Sequence, residues 1–220
     1  MKKVGTGGMK CPAWGTAILL AVLTLWSAPL LAQHDLSLGE TREIVPRYLL
    51  QDTNGRGVSP DDFRGRYQLI TFGYTFCPDI CPTTLAEMAV VLQQLGPLAE
   101  GLQPIFISVD PERDTLEVLR TYTAFFDPRI IGMTGSPALV SRAAENFKVR
   151  YQKVYEPGAA PDRYAVDHSA GMVLLGPDGA YLKKFAYATP PQKVADAIRQ
   201  QMAEMPPAPP SRGSADTRRR

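Results

Sequence analysis

"GYTFCPDICPTTL", residues 73–85, sets two cysteines four positions apart directly behind an apolar run. The chain has three cysteines in all, so the pairing of two of them here asks for a chemical reason. A disulfide, a redox pair and two ligands of one metal all fit the spacing alone. The flanks say where the pair sits. "QLITFGYTF" (68–76) is short, apolar and rich in aromatic and β-branched residues, the composition of a buried strand. In "PTTLAEMAVVLQQLGP" (82–97), Leu85, Met88, Ala89, Leu92 and Leu95 recur at helical spacing. Pro82 suits the first helical position and Gly96-Pro97 a stop. Cys81 is thus predicted at the mouth of a helix, with Cys77 in the loop that feeds it.

Working outward, "YLLQDTNGRGV" (48–58) reads as a small hairpin around Asn-Gly, and "QPIFISVD" (103–110) as a second buried strand. Asp114 and Glu117 have capping-box spacing ahead of "TLEVLRTYTAFF" (115–126), a helix with an apolar stripe of Leu116, Leu119, Tyr122 and Phe126. "SVDPERDT" (108–115) reads as no more than a loop and that cap. "RIIGMTG" (129–135) is a strand, followed by a helix with Ser136 as cap and Pro137 in its first turn. "VRYQKVYE" (149–156) leads into a loop, "PGAAPDRYAVDHSA" (157–170), that holds His168. "GMVLLGPDGAYLKKFAY" (171–187) is a hairpin around Pro-Asp-Gly, and "TPPQKVADAIRQQMAEM" (189–205) a closing, capped helix. Strands alternating with helices, then a hairpin and a last helix, imply an α/β fold: a mixed central sheet flanked by helices. The strand–cysteine loop–helix order makes it thioredoxin-like, with an added N-terminal hairpin.

The 220 residues suit one ordinary domain plus ends. Residues 1–32 carry Lys2, Lys3 and Lys10, then an apolar run with no charge before Asp35. This is the pattern of an export signal, and either a cleaved signal peptide or an uncleaved membrane anchor fits it. Cleavage would fall after Ala32, although Leu30 is large for its position. Cys11 precedes the apolar run, so it is not a lipid-attachment cysteine. Residues 33–46 read as a linker, 47–205 as the domain, and 206–220 as a disordered basic tail rich in Pro, Ser and Arg. The formal net charge is +2, to which the leader and the tail each contribute +3, so the stretch between them carries −4. A slightly acidic domain offers no electrostatic footprint for nucleic acid. The leader places the domain outside the cytoplasm, in the periplasm or anchored facing it.

A thiol at a helix N-terminus feels the positive end of the macrodipole, which favours the thiolate, the form that attacks disulfides and binds metals. Cys-x-x-x-Cys is one residue longer than the usual redox spacing, leaving both sulfurs room to face one object. Only two histidines exist, His34 beside the cleavage point and His168. In a thioredoxin-like fold the loop before the last hairpin approaches the cysteine loop, which brings His168 toward Cys77 and Cys81. Two thiolates and an imidazole are a soft three-ligand set, better matched to copper than to hard cations, and structural zinc usually takes four ligands. Met88 and Met172 read as core filler. A structural disulfide and a solvated loop histidine are the alternatives.

"FGYTFCPDICPTTL" (72–85), "ISVDPERDT" (107–115), "MTGS" (133–136) and "YAVDHSAGMVLLGPDG" (164–179) together resemble the Sco/SenC family of copper proteins that assemble cytochrome c oxidase. The resemblance runs from about Tyr48 to Met202. It implies one copper, Cu(I) or Cu(II), per chain, held by Cys77, Cys81 and His168. It also implies a partner, oxidase subunit II or another copper acceptor, whose binuclear copper centre receives the metal. The same resemblance allows a second activity, reduction of that centre's cysteines by Cys77 and Cys81 as a redox pair with a thiol reductant behind them. Disulfide exchange has no need of an imidazole ligand, so His168 favours the carrier over the oxidoreductase. A peroxidase of the peroxiredoxin kind would want Pro and Thr seven and three residues before the reactive cysteine, where Ile70 and Tyr74 stand.

Overall fold

Seven consecutive residues of one strand, Tyr67–Gly73, are buried, which requires cover on both faces and a neighbour on both edges. The computed structural model describes residues 45–158, 160 and 162–207, and this strand is β3 in its order. β1 (Leu50–Asp52) and β2 (Gly57–Val58) form the opening hairpin, α1 (Ile80–Leu95) follows β3, and β4 (Leu102–Ser108) is a second wholly buried strand. Next come α2 (Leu116–Phe126), β5 (Ile131–Thr134) and α3 (Pro137–Asn146). β6 (Tyr151–Tyr155) and β7 (Tyr164–His168) precede the hairpin of β8 (Met172–Leu175) and β9 (Tyr181–Phe185), and α4 (Pro191–Glu204) closes the chain.

The main sheet has the order β2-β1-β5-β4-β3-β8-β9. β3, β4 and β5 run parallel through its centre, while β1 and β8 flank them antiparallel. This is the mixed thioredoxin-like sheet with the added hairpin that the sequence predicts. β3 and β4 are in register from Tyr67↔Leu102 to Gly73↔Ser108, so their carboxyl ends open side by side. The edge of an open α/β sheet where parallel strands end is where such folds place ligands. α1 packs against α4 and α2, and its Leu85, Met88, Val91, Leu92 and Leu95 enter the core with Ile70, Ile105 and Phe106. Met88 and Met172 are both buried core residues.

Several local readings change. α1 begins at Ile80, so Pro82 is its third residue; amides of the first turn have no partner inside the helix, and a proline there removes no bond. The cap of α2 is Thr115, whose hydroxyl accepts from the Val118 amide, and Asp114 is fully buried and engaged elsewhere. α4 starts at two prolines with no side-chain cap. Residues 151–155 are a strand, paired with β7 in a two-stranded ribbon separate from the main sheet. Polar side chains facing water on both sides hid that strand from a hydrophobic pattern. Ser136 caps α3 through the Leu139 amide as expected. Among the described residues no helix is long and apolar enough to cross a membrane. The leader with Cys11, His34, and the tail beyond residue 207 lie outside the described residues.

One bond ties the last helix to the sheet. The buried Tyr67 hydroxyl, with one proton to give, stands 2.7 and 2.6 Å from the carbonyls of Gln201 and Met205 at the end of α4 and donates to one of them at a time. Tyr67→Phe leaves those carbonyls without this donor and is expected to lower stability by about 1 kcal/mol. Denaturant unfolding checks this, and an unchanged midpoint would contradict the tie.

Candidate metal centre

Cys81, the second residue of α1, has its sulfur pressed into the end of β3. A methyl group on Gly73 would stand 2.6 Å from that sulfur and 2.8 Å from the Phe106 ring, so only glycine fits beneath it. The residue is 3% exposed, whereas Cys77 is half-buried and both thiols are free. The Cys81 amide, one of the unpartnered donors of the first helical turn, points at the Cys77 sulfur 3.5 Å away.

The third group arrives from the ribbon. His168 is the last residue of β7, not a loop residue, and its Nε2 lies 3.3 Å from the Cys81 sulfur. Its Nδ1 stands 3.1 Å from the Ser169 carbonyl, which can only accept. Nδ1 therefore donates to Ser169, and in the neutral ring Nε2 carries the lone pair that faces the cysteines. The Tyr74 ring meets the imidazole edge-on at 6.0 Å between centroids. The structure thus brings together Cys77, Cys81 and His168, with their three donor atoms all within 4.8 Å of one another. Two sulfurs and a bare imidazole nitrogen at this separation are able to close on a single soft metal ion. A cleft of about 230 Å³, lined by Tyr74, Cys77, Pro78, Ile80, Val166 and His168, opens onto the group.

Electrostatics correct one expectation. Burial pushes the Cys81 thiol well above its ordinary value, and the neighbouring Cys77 and Asp114 add to the shift. A helix N-terminus stabilises an anion by about 0.3–1 kcal/mol when exposed and by up to about 2 kcal/mol when partly buried. Removing a charge from water costs several kcal/mol. Burial wins, so the metal-free site holds Cys81 as the protonated thiol.

What sequence reasoning missed is the role of residues 108–115. The Asp114 carboxylate accepts from the Thr75 amide at 3.1 Å, from the Thr75 hydroxyl at 2.6 Å and from the Ser108 hydroxyl at 2.6 Å. It therefore fastens the cysteine loop to the end of β4. Asp110, also fully buried, accepts from Arg113 and from the Tyr164 hydroxyl on the ribbon. The signal was present as three acids and an arginine within "DPERD" (110–114), more charge than a helix cap requires.

The family model described as SCO1/SenC matches residues 37–203. The chain belongs to the SCO1/SenC family. The human protein named "Protein SCO2 homolog, mitochondrial" is 39% identical over 156 residues, 70% of this chain and 58% of the human one. The chain thus matches little more than half of that relative's length. Among solved structures, Bradyrhizobium japonicum ScoI, described with copper bound, is 36% identical with a TM-score of 0.65, covering 72% of this chain and 99% of that one. BsSco is 28% identical with a TM-score of 0.56, covering 73% of this chain and 94% of that one. It is described as having a disulfide switch and as a member of the Sco family of cytochrome c oxidase assembly proteins.

The raised Cys81 value has a stability consequence with a definite sign. The unfolded thiol ionises near pH 8.5 and the folded one higher, so its contribution is complete below about pH 8.5 and is lost as pH rises toward the folded value. In the metal-free protein, unfolding free energy should fall by up to about 1.4 kcal/mol per pH unit above that point, beyond the change in Cys81→Ser. Denaturation midpoints from pH 7 to 10 measure it; parallel curves for the two proteins would contradict the burial argument.

Proposed function

We propose that this SCO1/SenC chain is an exported copper carrier, which holds one copper ion as cargo between Cys77, Cys81 and His168. We infer that its acceptor is the binuclear copper centre of cytochrome c oxidase subunit II. The observation that carries the reading is the bare Nε2 of His168, 3.3 Å from the Cys81 sulfur. An exchange pair of thiols needs no such donor, whereas a copper site gains a third ligand from it. Copper-bound ScoI of the same fold supports the choice of metal, and the description of BsSco supports oxidase assembly as the setting. The basic, then apolar leader supports a place outside the cytoplasm, with membrane association through that segment.

The residues divide the work. Cys77, half-buried at the cleft, is the sulfur an incoming or departing ion meets, while Cys81 holds the inner position. Both thiols lose their protons on loading, so affinity rises with pH. His168 keeps its Nδ1 proton on the Ser169 carbonyl, so Nε2 is the nitrogen it presents to the ion. The inner sulfur, on a residue 3% exposed, is a soft donor matched to a soft cation rather than a hard one.

A second reading, a thiol–disulfide oxidoreductase that reduces the cysteines of the same centre, rests on one observation. The two thiols are unequal in exposure, one accessible and one buried, as an attacking and a resolving cysteine would be. His168→Ala separates the readings. The carrier reading expects the variant to reduce a model disulfide at near wild-type rate, to lose Cu(II), and to fail in maturing an oxidase copper centre in cells. A variant that restores oxidase assembly as well as wild type would overturn the carrier and favour the reductase.

A further inference from the structure

His168 rides on a part of the molecule that the main sheet does not hold. Among the described residues β6 and β7 pair only with each other, and most of their side chains face water. A two-stranded ribbon alone is marginal in water, so its position has to be set by what fastens it. Val166 is its buried apolar residue, and Tyr151 and Tyr164 pack half-buried against the same core. A Lys153–Glu112 ion pair lies at the surface, where such pairs contribute little. A cluster of polar fastenings among the described residues centres on Arg113 and Asp110. Its guanidinium lies 3.7 Å above the centroid of the Tyr164 ring and donates to the Tyr164 carbonyl at 2.9 Å. Its Nε donates to the buried Asp110 carboxylate at 2.5 Å, and that carboxylate also takes the Tyr164 hydroxyl at 2.8 Å. On the other side the same cation stands 4.8 Å from the Phe76 ring and 5.7 Å from the Tyr74 ring. Phe76 adjoins Cys77, and Tyr74 packs on His168.

We propose that Arg113 is a positioning residue for the metal site, a latch that holds the β6–β7 ribbon, and with it His168, at its distance from Cys77 and Cys81. The inference rests on the reading of His168 as a copper ligand and adds to it the device that sets its place. Arginine suits the task because a planar fork can bond Asp110 and the Tyr164 carbonyl while its face stacks on an aromatic ring; an ammonium group cannot do both. The cysteine loop has its own fastening through Asp114 and Thr75, which does not involve the Arg113 side chain. Loss of the latch therefore frees the imidazole, while the bonds of Asp114 to Thr75 still hold the cysteine loop.

The test uses the full chain with Arg113→Met, and with Tyr164→Leu as a second variant that keeps the Asp110–Arg113 pair intact. In the metal-free proteins, amide hydrogen exchange should quicken about tenfold or more across residues 151–155 and 164–168, with β3 and β4 unchanged. With copper, both variants should keep one Cu(I) per chain, and the Cu(II) form should lose the nitrogen coupling of the imidazole in paramagnetic resonance. Ribbon exchange at the wild-type rate in both variants overturns the latch. So does a uniform rise over the whole sheet, which would make Arg113 a general stabiliser, and so does nitrogen coupling that persists over a loosened ribbon. A wild-type chain that takes up no copper would sink the carrier reading instead, and the metal-free exchange pattern would still decide whether Arg113 holds the ribbon.

Discussion

A single buried carboxylate, Asp114, sets the frame on which the site is built. It lies just beyond the end of β4 and takes two bonds from Thr75 and one from Ser108, so the cysteine loop is fixed to the strand beside it. Burial raises its pKa while the bonds from Ser108 and Thr75 oppose the shift, the expected contest for a carboxylate removed from water and compensated by donors. Without those donors a buried acid would be a liability; with them it is a fixed point. Four residues earlier, Asp110 serves the ribbon as Asp114 serves the loop. The two parts that supply the sulfurs and the imidazole are thereby referred to one short segment.

The rest of the geometry follows from where β3 and β4 end. Gly73 and Ser108 are paired at that edge, and the absence of a side chain on Gly73 makes the hole that Cys81 fills. Beyond His168 the chain must turn at once into β8. Gly171 makes that turn at φ +115°, where any side chain would collide with the Phe185 carbonyl, and Thr71 holds its carbonyl from β3 at 2.9 Å. The outcome is a dry inner sulfur, a more accessible outer sulfur and an imidazole with its tautomer preset. A protonated inner thiol makes loading a proton-for-metal exchange, so the same burial that shapes the site also sets its pH response.

Much of this was legible in the residues. The apolar run before Cys77 and the spaced leucines after Cys81 fixed the strand and helix that carry the pair, because buried elements announce themselves by hydrophobic period. The approach of His168 followed from the order of elements. The ribbon that bears it was not legible: Gln152, Lys153 and Tyr155 face water, and an exposed strand leaves no alternating pattern. Asp114 was read as a helix cap because its spacing to Glu117 satisfied a local rule; its true partners, Thr75 and Ser108, lie on other elements, 39 and 6 positions away. The thiolate expected at a helix mouth failed for a related reason, since sequence shows the helix dipole but not the burial that outweighs it.

The account stands on three donors from two separate parts of the fold meeting at one ion. X-ray absorption at the copper edge of the Cu(I)-loaded, monomeric protein measures that most directly. The account predicts one copper per chain with two sulfur neighbours and one nitrogen neighbour. A first shell of sulfur alone, or of sulfurs shared between two chains, would contradict it.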